Sequence, residues 1–259
     1  MSNGQFALIV FAGLLFLGLY FGGTGKSSEI IGAEKERILK VESTDINALL
    51  IDARPSLSPL QSAELLSLET QLAQSETDSA KVSVYKDIAS TWYGFDRADI
   101  SGYYALKVAE AENTENAWSI AGTTLTLGLK RAEKDKIKKF CSKNAIIAFE
   151  NAISINPDNI GHRTNLAICY AEYPSAENPM QGIMMLLKLN KENPEDTGVL
   201  ITLARFGMQT GQYEKVEGRL AKVLTIEPNN RAANCMMVDV LSQLNKVQEA
   251  GPYEVKCKL

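Results

Sequence analysis

Hydropathy divides the chain into one continuous apolar run and a long amphipathic remainder. The run from Phe6 to Gly23 carries no charge, and 18 helical residues rising about 1.5 Å each span roughly 27 Å, the depth of a bilayer core. Beyond it, apolar positions recur at helical spacing in segments closed by Gly or Pro. The pattern predicts a transmembrane anchor over 1–23, a juxtamembrane spacer over 24–57, a leading helix over 58–79, a helical repeat region over 80–250 and an extended tail over 251–259.

Within the spacer, Ser28 to Glu42 reads as a charged helix capped by Ser28 and carrying Ile30, Ile31, Ile38 and Leu39; Pro55 ends the spacer's helical reading. Ser58 and Pro59 supply a cap and a first-turn proline for the leading helix, whose inner side is predicted to hold Leu60, Ala63, Leu66 and Leu72. In the tail, Tyr253 to Leu259 alternates apolar and polar, the period of a strand. Tyr253 and Val255 therefore become candidates for pairing with a partner's sheet edge or a twin, with a frayed terminus as the alternative.

The apolar run is expected to be a retained anchor and not a cleaved signal peptide. Residues 1–5 hold no Lys or Arg, and the run exceeds a signal core. No cysteine follows it, which excludes a lipoprotein, and Tyr20 suits the interface. Lys26, Lys35, Arg37 and Lys40 follow the run and no cation precedes it, so the positive-inside rule places the soluble domain in the cytoplasm. The extracytoplasmic side is the alternative, because large domains cross regardless of charge. Gly18 and Gly22 have the spacing that packs two anchors together. Gly22 to Ser27 imitates the end of a phosphate-binding loop, but Tyr20 stands where that loop requires glycine.

Internal similarity sets the fold of the remainder. Pro194 and Pro228 lie 34 residues apart, each closing an apolar helix, with Gly211-Gln212-Tyr213 between them. Thr197 to Asn230 carries Leu200, Leu203, Ala204, Gly211, Tyr213, Leu220 and Pro228; the unit before it carries Leu166, Ala167, Tyr170, Gly182, Leu186 and Pro194, with 3 extra residues in its turn. Earlier still, Trp118, Ala121, Gly122 and Leu125 precede Ala145, Phe149, Ala152 and Pro157, with 11 additional residues housed as helical turns through Lys130 to Lys143. Tyr85, Ile88, Ala89 and Trp92, then Gly102, Leu106 and Ala109, form a fainter pair. This pattern resembles the tetratricopeptide repeat family over residues 80–250.

The resemblance implies an all-α fold, a right-handed superhelical array of antiparallel helix pairs following the transmembrane helix. It implies a protein-binding groove on the first helices, where Thr164, Ile168, Ile201, Arg205 and Met208 are the candidate contacts. Those positions are mildly apolar and suit a helix or extended peptide. Family members that bind acidic C-termini use cations there; Thr164, Ile168, Thr202 and Ala232 occupy the matching places, so that activity is not expected. The last unit is expected to lack a full second helix because Gly251-Pro252 interrupts it.

Composition narrows the function. A net charge of -4 with no basic patch excludes nucleic acid, and the densest basic stretch, 130–143, is broken by Glu133 and Asp135 and reads as a solvated face. Cys141, Cys169, Cys235 and Cys257 have no paired spacing and are read as reduced, mostly buried thiols. His162, the one histidine, opens a helix and is read as a surface residue. Trp92, Tyr93, Phe95, Tyr103 and Tyr104 crowd one hairpin, read as core before recognition patch. No catalytic, metal or cofactor constellation is present in the sequence. The expectation is a non-catalytic, single-pass membrane adaptor that binds protein partners in a complex of the secretion, envelope-assembly or maturation kind. The alternative is a structural protein that self-associates into a homo-oligomer at the membrane.

Overall fold

The computed structural model describes residues 45–258 and divides the chain between Ala48 and Leu49. The expected anchor at Phe6–Gly23 and the charged helix at Ser28–Glu42 lie outside the described residues. Among the described residues no helix is long and apolar enough to cross a membrane. Helix α1 (Ile46–Ala53) straddles the division, and everything below concerns residues from Leu49 onward.

Helix α2 (Pro59–Gln74) starts as its sequence requires. Ser58 Oγ accepts from the Gln61 amide, the Gln61 side chain accepts from the Ser58 amide, and Pro59 occupies the first turn. Its inner face differs from the one predicted. Leu65 is buried, while Leu60 is 80% and Leu66 is 62% exposed, because among the described residues α2 makes its one extensive helix contact with α3 and buries the Leu65 stripe against it.

Five helix hairpins follow: α3 (Asp78–Gly94) with α4 (Ala98–Glu112), α5 (Glu115–Arg131) with α6 (Asp135–Ile155), α7 (Ile160–Glu172) with α8 (Gln181–Glu192), α9 (Thr197–Gln209) with α10 (Tyr213–Ile226), and α11 (Arg231–Gln243) with α12 (Gly251–Lys258). Successive helices pack on each other, and the first helices of successive hairpins, α5, α7, α9 and α11, also lie side by side. Helices α3 and α5 share no comparable interface. The result is the all-helical hairpin array that the repeat pattern implied. Trp92, Ile88, Phe149, Leu125, Leu186 and Leu220 are fully buried at patterned positions, each contributing about 1.5–3 kcal/mol by removal from water. At Gly182 a Cβ would stand 2.4 Å from Ala167 O and Ala171 N, so only glycine lets α8 approach the backbone of α7.

Three hairpin turns share one backbone form. Asp96, Gly211 and Asn245 have φ of 59°, 69° and 60°, and each sits two residues before the next helical segment. Behind each, the following amide donates back across the turn: Arg97 to Trp92 O, Gln212 to Gly207 O and Lys246 to Leu241 O. The left-handed residue itself donates to Tyr93 O, Met208 O and Ser242 O respectively. This paired bonding satisfies the orphan carbonyls of a helix end, and Asp and Asn stand in where glycine is the usual choice. The turns of the second and third hairpins, which carry the extra residues, do not repeat it.

The last turn corrects the reading of the tail. A 3₁₀ turn at Val247–Glu249 and helix α12 take the place of a second helix, and Tyr253 to Lys258 is helical, not extended. Pro252 stands in the first turn of α12, where its missing N–H costs nothing, and Ala250, Tyr253 and Cys257 recur at helical spacing toward α11. Ala250 is buried and Tyr253 packs against the core around Met237 and Val240. A disulfide joins Cys257 to Cys235 of α11, with Cα atoms 4.8 Å apart, so these two cysteines are not the reduced thiols expected. Cys141 and Cys169 are free and buried, and burial pushes the Cys169 thiol up to about 11.

Helix starts are stitched to the following hairpin by side chains. Glu115, first residue of α5, accepts from His162 Nε2 at 2.7 Å, Asn159 Nδ2 at 2.8 Å and Asn156 Nδ2 at 3.1 Å. These partners hold its carboxyl below the ordinary value, His162 first. His162 is 6% exposed, a buried partner of Glu115 where a surface residue was expected. Two hairpins later Thr197, first in α9, donates to Glu227 at 2.6 Å, which also accepts from Asn230.

Candidate functional site

The gap between α3 and α5 forms a groove of about 380 Å³. One wall is Lys86, Ala89, Ser90 and Tyr93 of α3; the other is Asn116, Ile120 and Thr124 of α5. The floor is Ser101, Ala105 and Val108 of α4, all buried. Small side chains at Ala89, Ser90, Ala105 and Ala117 are what leave the space open. Tyr93 is 54% and Ile120 is 53% exposed, large apolar surfaces facing a channel that no other described residue covers. At one end Lys86 Nζ lies 2.6 Å from Glu112 Oε1, an exposed pair that sets polarity more than stability. The Ser101 hydroxyl donates to Ala89 O at 2.7 Å and so offers its remaining capacity as acceptor. The walls present mixed hydroxyl, amide and aromatic groups and no clustered base and nucleophile, which suits binding of a chain segment more than chemistry on it.

The residues predicted from the repeat pattern are placed differently. Thr164 and Ile168 are buried, at 7% exposure each. Ile201 and Met208 are half-buried against the core that contains Leu200, Ala204 and Val216. Arg205 lies 3.5 Å from Glu172 and over the ring of its own neighbour Phe206, at 5.0 Å to the centroid. Lys130 reaches the same Glu172 at 3.9 Å, and its ammonium is pushed below the ordinary lysine value chiefly by burial and then by Arg205. Along α7 and α9 the protein's own side chains thus fill the interface, since the two helices pack directly. Tyr253 is half-buried against α11, and Val255 is 64% exposed on α12.

The aromatic cluster divides between roles. Trp92 is fully buried and Tyr104 nearly so, its phenol pushed up to about 12 by burial, while Tyr93 turns into the groove. Ser90, Ile120 and Thr124 carried no signal of their own. The clue was the set of small residues at Ala89, Ala105 and Ala117, legible only once α3, α4 and α5 are known to face one another.

Neither a family model nor a curated protein matches the sequence. Among solved structures, the chain is similar to "YrrB: a TPR protein with an unusual peptide-binding site" at 15% identity, covering 73% of this chain and 90% of that one with a TM-score of 0.38. It is similar to a "MamA RS-1 ArsTM double mutant" at 11% identity, covering 68% and 92% with a TM-score of 0.43. Another MamA structure matches at 15% identity over 68% and 89%, with a TM-score of 0.42. Likenesses this distant leave the function of this chain to its own groove.

Proposed function

We propose that this protein is a non-catalytic adaptor that binds an extended or helical segment of a partner protein in the groove between α3 and α5. The observation that carries this reading is the open channel with Tyr93 and Ile120 exposed over a floor of small buried residues. Aromatic anchors beside hydroxyl and amide groups are the usual means of holding a peptide. The uncharged run Phe6–Gly23 supports tethering at a membrane, within an assembly of the secretion, envelope or maturation kind. The Cys235–Cys257 pair supports placing the repeat domain on the extracytoplasmic side, since disulfides persist in oxidising compartments. That choice goes against the distribution of Lys and Arg after the run, which large domains override.

The test is affinity purification of the full chain from mildly solubilised membranes, beside a Tyr93→Ala, Ile120→Ala double variant. A stoichiometric companion present with the parent and lost with the variant supports the adaptor. Recovery of the protein alone in multiples favours the self-associating reading and overturns this one. Alkylation of free thiols before lysis, followed by mass measurement, checks the compartment; Cys235 and Cys257 labelled in growing cells would place the domain in the cytoplasm.

A further inference from the structure

The two departures from the 34-residue unit meet at one place. The long α6 arises from the additional residues around Lys130–Lys143, and the turn after α7 carries the other insertion. Their contact is direct: Tyr173 OH donates to Asp135 at 3.2 Å, joining the extended turn to the first residue of α6. Beside this contact lies a slot of about 400 Å³ between α6 and α7, within the size range of ligand clefts. Its surface is mostly carbon, from Ile146, Ile147, Tyr170 and Tyr173, and Lys139 and Lys143 stand along one rim. Both lysines and Ile147 are exposed, and among the described residues neither lysine is in an ion pair. Insertions in repeat arrays commonly gather on a binding face.

We infer that this slot is a second docking surface, separate from the α3–α5 groove, for a partner segment that places an apolar side chain between carboxylates. Ile146, Ile147 and Tyr170 receive the apolar group, and Lys139 and Lys143 pair with the acids. Charge complementarity identifies the partner: lysine ammoniums without internal partners border a carbon-lined slot. An anionic membrane surface fits less well, because a continuous sheet of headgroups would also meet Glu133 just before α6, Asp135 at its start and Glu150 beside Tyr170, whereas a short segment can seat its acids on Lys139 and Lys143 between them.

The experiment selects a phage-displayed random dodecamer library on the full-length protein in detergent. Binding of the enriched peptides is then measured by fluorescence anisotropy to the parent, a Lys139→Glu, Lys143→Glu variant, an Ile147→Ser variant and the Tyr93→Ala, Ile120→Ala groove variant. The expected result is enrichment of Asp or Glu around Leu, Ile, Phe or Met. Affinity should fall about tenfold or more on charge reversal, fall with Ile147→Ser and stay unchanged in the groove variant. Peptides lost only with the groove variant would support the first site and overturn the second. Failure to enrich acidic peptides overturns it, as does insensitivity to charge reversal. Phosphatidylserine vesicles that bind the parent but not the charge-reversed variant, with no peptide selected, would assign the surface to lipid. Unchanged thermal melting of the lysine variant, whose substitutions are at exposed positions, confirms that lost binding is local.

Discussion

The space beside α5 differs sharply on its two sides. Toward α3 the helices stand apart and small residues leave a channel over α4; from α5 through α11 the first helices lie against each other and their side chains close the gap. Thr164 and Ile168 are therefore covered, while Tyr93 and Ile120 are not. The lesson is that a repeat position marks a face and not a site. Whether it is open depends on the distance to the neighbouring helix, set by residues elsewhere in the hairpin.

The strongest way to break the closed region is at its tightest approach. Gly182→Ala puts a methyl against the backbone of α7 and should cost about 3 kcal/mol, read as a lower urea midpoint with loss of α7–α8 packing. The same change at Gly218, where nothing lies within 4 Å, should leave stability the same or slightly higher. Equal effects at the two glycines would mean that close approach is not what distinguishes them.

The far end of the array should respond next. Replacing Cys235 and Cys257 with Ser opens a loop whose cysteines are 22 residues apart and should remove about 2–4 kcal/mol, with amide exchange rising first in α12. Exchange that rises uniformly from α7 to α12 would show that the cap and the closed region unfold as one.

In the open region the prediction is the reverse, function without stability. Tyr93→Ala and Ile120→Ala should each weaken partner binding by about tenfold while shifting stability by no more than about 0.5 kcal/mol, because both side chains are already half exposed. A large stability loss would identify them as core and remove the groove's anchors.

The smallest effect is in pH dependence. His162, Asn159 and Asn156 hold the folded-state Glu115 carboxyl below its ordinary value of 4.5, and Thr197 and Asn230 do the same for Glu227. A depressed folded value means the stabilisation is present above the unfolded value and is lost as pH falls through the folded one. Thermal melts between pH 6 and pH 3 should therefore fall less steeply in Glu115→Gln and in Glu227→Gln than in the parent. Parallel curves would show that these stitches carry no linkage.

The amino-acid sequence by itself determined the helical hairpins. Leu200, Ala204 and Leu220 recur from unit to unit and are buried, Pro228 closes its unit, and Ser58 and Pro59 fix the start of α2, although Leu60 and Leu66 of that helix lie exposed. These are local and periodic signals: a cap lies within one turn of the helix it starts, and the core positions return at the period of the repeat. Tertiary structure decided what period and spacing do not encode. The alternation of Tyr253 to Leu259 suggested a strand, yet Ala250, Tyr253 and Cys257 form one helical face because α11 offers an apolar surface and Cys235 to meet it. His162 became a buried partner because Glu115, 47 residues away, arrives beside it. The groove exists because α3 and α5 share no interface like those between the later first helices, a distance between helices that no single helix's pattern records.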